Sequence, residues 1–365
     1  MSELAAPGKP DDRRVSILHV TESYGAGTAT AVRQYARSTP EFDHYLLRSL
    51  RREGKAERAG DSPFVATWDL PKQGVTALSR IRSIADELQP SVVHAHSSIA
   101  GVYVRLALRR GKGPRIVYTP HCFAFERRDV PAPARALYHV AERILARNQD
   151  YLAACSPREE QLAKSMCTIS GVGFVPNVAT VPEDLSSDSG SFHESIATIG
   201  RISPQKDPDF FRQIASEVRR RDSRFAIHWI GDGDAEDIAK LGYAGVTISG
   251  WLPQRDVIDV ARRSSFYLHT ALWEGFPLSV LEAVRLGLLP VVRSSPAFSH
   301  LPSDLLFSTV DEGVEMIRAL TESEGRRREH LARWRVALAD NTVANQHDAL
   351  CAAYGVAMTE ATDRG

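Results

Sequence analysis

The sequence predicts an α/β protein made of two doubly wound domains with parallel sheets. A strand, a Gly turn and a helix open the chain in VSILHVTESYGAGTATAVRQYARS, Val15 to Ser38, and the alternation then continues to Asn177. A Ser/Asp/Pro-rich stretch without periodicity, VATVPEDLSSDSGSFHE, interrupts it, and the same pattern restarts beyond, which reads as a second domain. The stretch WEGFPLSVLEAVRLG, Trp273 to Gly287, sits between the strands SFYLHTA and LPVVRS, so strand, Gly/Pro turn, helix and strand form one βαβ unit. The expected division is a disordered tail over 1–14, a first domain over 15–178, a linker over 179–194, a second domain over 195–340 and a last helix within 341–365.

The chain has 365 residues, enough for two domains that each bury a core, with 43% hydrophobic and 25% charged residues as in ordinary globular enzymes. Formal net charge is zero, so nothing global points to nucleic acid. The halves differ: up to Asn177 there are 25 Lys and Arg against 18 Asp and Glu, and 20 against 27 after it. That asymmetry could turn the first half toward an anionic surface, or simply be a solvated face. Cys122, Cys155, Cys167 and Cys351 lack the C-x-x-C spacing of a metal or redox site, which fits a reduced, cytoplasmic setting. The polar opening MSELAAPGKPDDRR has no apolar signal-peptide core, and no run of about 18 apolar residues exists to span a membrane.

In chain order, Val15 to Val20 is a strand, Gly25 to Thr28 a small-residue turn, and the helix beyond carries Val32, Tyr35 and Ala36. Its Gly-Ala-Gly is too short for a dinucleotide fingerprint, because Thr30 stands where the third glycine would fall. HYLLRSL is a strand, RREGKAERAGD a charged surface loop and FVATWDL a short strand. GVTALSRIRSIADELQP steps Val75, Leu78, Ile81, Ile84 and Leu88 along a helix face. SVVHAHSSIAGVYVRLALRR repeats the strand and helix, and PRIVYTPHCFAF ends a strand near His121. Glu22, His96 and His121 thus fall at the carboxyl ends of strands, where open α/β sheets bind ligands. Val130 to Arg147 reads as a helix with Leu137, Val140, Ile144 and Leu145 on one face and Arg135, Arg143 and Arg147 on the other. Its apolar face is expected to pack into the core, while its basic face allows peripheral contact with an anionic membrane. YLAACS is a strand, SPREEQLAKSMC a helix capped by Ser156, and GFVPN a short strand.

In the second domain SIATIG is a strand, PDFFRQIASEVRRRD a helix, RFAIHWI a strand ending in a Gly-Asp-Gly-Asp loop, VTISGWL a strand and QRDVIDVARRS a helix. The βαβ unit at Trp273 follows, then a short LLFST and two helical runs, the last from about Ala344 to Met358 with Ala349, Leu350, Ala353 and Tyr354 on an apolar face.

Two features carry chemistry. The helix beginning at Leu278 and Ser279 offers unpaired N–H groups and the positive end of its dipole to an anion. Arg201 and Lys206, in the loop GRISPQKD after a strand, supply a guanidinium fork and a point charge suited to a diphosphate. Such loop cations are mostly solvent-facing when taken alone. With the helix terminus they describe a diphosphate pocket without a metal. Glu282, one turn into that helix, can accept hydrogen bonds from a ribose diol, and Glu274 in the preceding turn from sugar hydroxyls. Either acid alone would read as a surface carboxylate favoured near a helix N-terminus.

The combination resembles the retaining nucleotide-sugar glycosyltransferases of family 4, which have the GT-B fold. The resemblance rests on Glu274-x7-Glu282, on Gly200-Arg201-x4-Lys206, on GDGD at Gly231, on SGWL at Ser249, PHC around His121, HAHS at His94 and Pro176-Asn177. It implies that Arg201 and Lys206 hold the donor diphosphate as it leaves and that Glu282 binds the ribose. It implies that Glu274, with the backbone of Gly275, Phe276 and Pro277, holds the transferred sugar. His121 would contact that sugar, and Gly27 would let the first-domain loop approach the phosphates. The donor would be a UDP- or GDP-linked sugar, the acceptor a glycan or lipid-linked hydroxyl, with no further cofactor and no metal. The last helix would cross back onto the first domain, and the protein would work in the cytoplasm or against the inner face of the membrane. Three departures stand out: Gly-Ala-Gly replaces adjacent glycines, PAFSHLP lacks the Gly-Gly and acid often found after that strand, and Asp234 has no assigned role. Two alternatives use the same residues, a nucleotide-sugar epimerase of this architecture and a non-catalytic sugar-nucleotide-binding subunit.

Overall fold

The computed structural model describes residues 14–50, 62–72, 74–167, 171–181 and 192–356. The tail before Arg14, the charged loop from Arg51, most of the Ser/Asp-rich linker and the stretch beyond Val356 lie outside the described residues. The first sheet takes its elements in the order β1 (Ser16–Tyr24), α1 (Ala26–Ser38), β2 (Asp43–Leu50), β3 (Ala66–Asp69), α2 (Gly74–Leu88), β4 (Val92–His96), α3 (Ser98–Ala107), β5 (Arg115–Thr119), α4 (Ala132–Leu145), β6 (Tyr151–Ala154), α5 (Pro157–Met166) and β7 (Gly171–Phe174). Its strands run β3-β2-β1-β4-β5-β6-β7, all parallel. The second sheet uses β8 (Ser195–Ile199), α6 (Pro208–Arg221), β9 (Ala226–Ile230), α7 (Ala235–Tyr243), β10 (Val246–Ile248), α8 (Gln254–Ala261), β11 (Phe266–His269), α9 (Leu278–Arg285), β12 (Leu289–Arg293) and β13 (Leu306–Phe307). Its order is β10-β9-β8-β11-β12-β13, again parallel. In both sheets the chain starts in the middle and reverses direction of growth, at β1/β4 and at β8/β11. Such a switch point parts the loops at the carboxyl ends of the strands and opens a crevice there.

Both faces of each sheet are covered. Val20, Leu47, Val93 and Ile116 pack under α2 and α3, while Ile17, Val92 and Val117 face the last helix. In the second sheet Ile196, Trp229 and Phe266 pack under α6 and under a helix at Val310–Glu322, and Ala197, Tyr267 and Val292 under α8 and α9. Continuously apolar strands are the consequence of burial on two sides.

Several elements differ from expectation. β1 is paired on both sides as far as Thr21 and, past an irregularity in register, reaches Tyr24 on β2 alone, where Tyr24 stands opposite Leu50, so the turn narrows to Gly25 and Gly27 already lies in the first turn of α1. Along α2 the buried face is Ala77, Ile81, Ile84, Ala85 and Leu88, and Val75 points outward at 82% exposure. β7 is set earlier than expected and stops short of Pro176, which has no N–H to extend the ladder. A helix absent from the sequence reading, α7, follows the GDGD loop, and Asp234 is its N-cap, accepting from the N–H groups of Glu236 and Asp237 at 3.1 and 3.0 Å. That is the role of the unassigned acid. Among the described residues three helices, not two, follow β13: α10 (Val310–Glu322), α11 (Glu324–Ala337) and α12 (Val343–Tyr354), the last ended by Gly355 at φ 73°.

The largest reversal concerns α4. Leu137, Val140 and Ile144 are 66, 50 and 56% exposed, and only Glu142 is fully buried. Glu142 accepts from Arg105 Nη2 at 2.8 Å and from the Tyr118 hydroxyl at 3.0 Å, and the Arg105 guanidinium lies 4.1 Å over the Tyr118 ring. Turning Glu142 outward would strand the buried Arg105 charge in the interior, so this pair, and not the apolar stripe, sets which face of α4 turns inward.

α12 packs on the first domain, with Leu350 and Tyr354 among Ile17, Phe42, Val92 and Val117. Ser38 Oγ donates to Gln346 Oε1 at 2.6 Å, and Gln346 Nε2 donates to the Pro176 carbonyl at 2.7 Å.

Candidate active site

A cleft of about 1450 Å³ lies between the two sheets, lined by the carboxyl-end loops of both. It exceeds the roughly 300–1,000 Å³ of a pocket for one small molecule, which leaves room for two substrates.

On the second-domain side, the loop after β8 is zipped to the loop after β11. Leu272 N donates to the Gln205 carbonyl at 2.9 Å, Gln205 Nε2 to that of Trp273 at 2.9 Å, and Thr270 Oγ1 to that of Lys206 at 2.6 Å. The zipper delivers Lys206 Nζ to Glu274 Oε1 at 2.5 Å, both side chains 15% exposed. In the sequence they are distant; here one half-buried pair joins the diphosphate candidate to the sugar candidate. Arg201 sits exposed on the rim of the same loop and lines the cleft. Gly200 and Gly231 make the loop possible: at Gly231, φ 152°, a Cβ would lie 2.1 Å from the Gly200 carbonyl oxygen, where no side chain fits.

α9 starts from Pro277 with no side-chain cap, so the N–H groups of its first turn, at Leu278 and Ser279, are left to an outside acceptor. The Ser279 hydroxyl accepts from Tyr267 at 2.6 Å. Glu282, 4% exposed, takes hydrogen bonds at 2.8 Å from Thr180 and from Gln254 on one oxygen, Oε1. Burial pushes its pKa up against the pull of those two donors. Thr180 and Gln254 hold the carboxylate in place, and nothing in their sequence neighbourhoods marks them. The turn before α9 is tied to the first domain: Asn177 Nδ2 donates to the Phe276 carbonyl at 2.8 Å. A Cβ on Gly275 would meet Cys155 Sγ at 2.7 Å, the His121 carbonyl carbon at 2.8 Å and Cys122 N at 2.9 Å. The turn that carries Glu274 therefore rests directly on the loop that carries His121.

That loop holds two successive non-glycine residues in positive-φ conformations, His121 at 51° and Cys122 at 101°. Each costs about 1–3 kcal/mol and persists only where the surroundings fix it. Buried Glu159 does so, its two oxygens accepting from Cys122 N and Cys155 N at 2.7 Å each.

Behind His121 runs a line of imidazoles. His121 Nε2 meets His96 Nδ1 at 3.1 Å, His96 Nε2 meets His19 Nδ1 at 2.9 Å, and His19 Nε2 meets His44 Nδ1 at 3.0 Å. The line ends with His44 Nε2 at 2.9 Å from the Thr39 carbonyl. A carbonyl only accepts, so His44 Nε2 carries the proton. In the neutral chain each next Nε2 then donates to the Nδ1 ahead of it. Burial holds His19, His96 and His44 below the ordinary imidazole pKa and His121 down to about 4. The tautomer of His121 is thereby dictated from Thr39: Nε2–H is spent on His96, and Nδ1 remains an acceptor. His121 suits a sugar hydroxyl as donor and is unsuited to protonating a leaving group.

On the first-domain wall Gly27, exposed in the first turn of α1, has no atom within 4 Å of where a Cβ would stand. Arg33, Arg37, Arg48 and Arg127 also line this wall. No motif in the sequence marks them; their one signal there is the basic excess of the first half. Glu22, near the carboxyl end of β1, accepts from Ser97 Oγ and, at 3.0 Å, from Ala100 N, tying β1 to the start of α3.

Two parallel-sheet domains facing a shared cleft, with the phosphate-ready helix on the second, define the GT-B class. The chain matches the model of a glycosyl transferase 4-like domain over residues 26–167 and of glycosyl transferases group 1 over 193–322. It belongs to the GT-B glycosyltransferases of family 4. It is 27% identical over 230 residues to the UDP-Gal:alpha-D-GlcNAc-diphosphoundecaprenol alpha-1,3-galactosyltransferase of Escherichia coli, covering 56% of this chain and 57% of that relative. An uncharacterized 41.2 kDa protein in the cps region of Klebsiella pneumoniae is 24% identical over 307 residues, 78% of this chain and 82% of the relative. Among solved structures, Anabaena HepE in complex with UDP-glucose superposes with a TM-score of 0.73 at 14% identity, over 94% of this chain and all of that one. WaaG, a glycosyltransferase involved in lipopolysaccharide biosynthesis, gives 0.68 at 13% identity over 94% and 100%.

Proposed function

We propose that this chain is a retaining glycosyltransferase that moves a sugar from a nucleotide diphosphate, UDP in the first instance, to a hydroxyl of a lipid-linked or glycan acceptor in cell-surface polysaccharide synthesis. The observation that carries the proposal is the placement of Lys206, Arg201 and the uncapped start of α9 on one wall of the cleft, beside Glu282 and opposite His121. Cations and helix N–H groups stabilise the charge that builds on a departing diphosphate, and Glu282 accepts from the ribose diol. Glu274 and the Nδ1 of His121 then hold the transferred sugar from its two sides. The acceptor hydroxyl attacks the anomeric carbon from the leaving-group face, and a departing phosphate oxygen takes its proton. No step requires a metal.

Two features support an anionic, membrane-borne acceptor. The first-domain wall carries Arg33, Arg37 and Arg48, which suit a phosphate-linked substrate, beside Arg127, whose fork is held by Asp129 at 3.0 and 2.7 Å. α4 turns Leu137, Val140 and Ile144 outward beside the exposed Arg143 and Arg147, the composition of an interfacial helix. Among the described residues no helix is long and apolar enough to cross a membrane, and peripheral contact at the inner face is the arrangement proposed.

The test is product analysis of purified protein with UDP-sugars and a diphosphate-lipid acceptor, with and without EDTA. Acceptor-dependent transfer with retained anomeric configuration, unaffected by EDTA, is expected. Arg201→Ala should lower kcat more than donor affinity, and Glu282→Ala chiefly donor affinity. Sugar conversion without acceptor would instead mark an epimerase, and nucleotide binding with no turnover a non-catalytic subunit.

A further inference from the structure

Outside the cleft, a second cluster of chemically capable side chains joins α12 to the first domain. His347 and Cys351, four residues apart on one face of α12, meet Glu41 from the connection between α1 and β2. His347 Nε2 lies 2.9 Å from Glu41 Oε1, Cys351 Sγ lies 3.7 Å from His347 Nε2, and Sγ lies 4.0 Å from Glu41 Oε1. None of the three lines the cleft. We propose that Glu41, His347 and Cys351 form a binding site for a zinc-class divalent cation that fastens α12 to the first domain.

Geometry supports this. Tetrahedral zinc, with bonds of about 2.3 Å to sulfur and about 2.0–2.2 Å to nitrogen and oxygen, requires its ligand atoms to stand roughly 3.4–3.6 Å apart. The three separations here bracket that range, so the ion enters by opening the His347–Glu41 contact and drawing Cys351 inward by a few tenths of an ångström. The other ring nitrogen supports it independently: His347 Nδ1 sits 2.9 Å from Asp348 Oδ1. A carboxylate behind a histidine is how metal-binding imidazoles are oriented, and it leaves Nε2 as the ligand atom. Charge also balances. Binding expels the Cys351 thiol proton and the proton shared between His347 and Glu41; thiolate and carboxylate then neutralise the dication, and water takes the fourth position on the exposed side.

The competing cluster, His19, His94 and His96, is less suited although its ring atoms are as close. His19 and His96 spend both nitrogens in the imidazole line, and His94 spends its own on Tyr354 and Thr119 at 3.1 and 2.9 Å. A metal there would have to break these bonds in a sealed interior.

Cobalt(II) titrated into the full-length protein under reducing conditions tests the assignment. One equivalent should give a thiolate-to-cobalt charge-transfer band with tetrahedral d–d intensity, and zinc should displace it. Cys351→Ser should abolish the band, Glu41→Gln should weaken binding without perturbing the fold, and Asp348→Asn should weaken it about 10–100-fold. Zinc should raise the Tm of the wild type and leave that of Cys351→Ser unchanged. A band that survives Cys351→Ser, an affinity untouched by Glu41→Gln, or the absence of both band and Tm shift would overturn the proposal.

Discussion

Gly27→Ala separates what the protein needs from what its substrate needs. Gly27 lies in the first turn of α1, and a Cβ there meets no protein atom within 4 Å. Alanine should therefore stabilise the free protein by up to about 1 kcal/mol, because glycine in a helix costs roughly that much relative to alanine. If the empty space is where the donor phosphates approach the helix, the same methyl should cost affinity. One methyl overpacked against a bound group costs about 1–3 kcal/mol, a rise in Kd of about 5- to 140-fold at about 1.4 kcal/mol per factor of ten. Urea unfolding of the free protein gives the first number and calorimetric titration with UDP the second. A variant with higher stability and weaker UDP binding fits the account. Unchanged UDP affinity would place the phosphates elsewhere and remove Gly27 from the donor site.

Gly275→Ala should behave oppositely. Its Cβ would collide with Cys155 and with the backbone at His121 and Cys122, so the domain junction should loosen, with stability down about 1–3 kcal/mol and kcat down because His121 and Glu274 separate; wild-type stability with full turnover would refute that contact. Acid should destabilise the fold. His19, His94, His96 and His121 have folded pKa values below their ordinary value, so the unfolded chain takes up protons that the folded chain refuses. Their contribution is complete above the ordinary value of about 6.5 and is lost as pH falls from there toward the folded values, by up to about 1.4 kcal/mol per pH unit for each. Glu126, raised to about 7 by burial, and the raised Glu159 and Glu282 work the other way but are fewer. The urea midpoint should therefore be lower at pH 5 than at pH 7, and a midpoint that rises on acidification would show that the imidazoles are not buried neutral.

Periodicity made the two sheets legible, since strands buried on both faces announce themselves as apolar runs. It failed where the deciding contact was not apolar. α7 leaves no periodic trace in the sequence because AEDIAKLGY is short, mixed in charge and fully buries only Leu241. α4 turned the other way because Arg105 and Glu142, distant in the sequence, outweigh the exposed Leu137, Val140 and Ile144. The site was half visible. Arg201, Lys206, Glu274 and Glu282 stand within recognisable spacings, whereas the imidazole line is assembled by strand order: His44 on β2, His19 on β1, His96 on β4 and His121 after β5 become neighbours only once the sheet is built. Thr180 and Gln254 meet Glu282 only through the fold, and no local pattern singles them out.

On the proposed function the cleft reads a nucleotide diphosphate through Lys206 and its surroundings. Calorimetric titration of UDP and UMP, with GDP and GMP in parallel, tests it on the wild type and on Lys206→Ala, alone and with Glu274→Gln so that an orphaned carboxylate is not the cause. A charge-assisted contact of about 1.5–3 kcal/mol predicts that the matching diphosphate binds at least about tenfold tighter than its monophosphate, and that both variants erase most of the difference. Equal affinity for diphosphate and monophosphate in the wild type, or a preference that survives loss of Lys206, would contradict it.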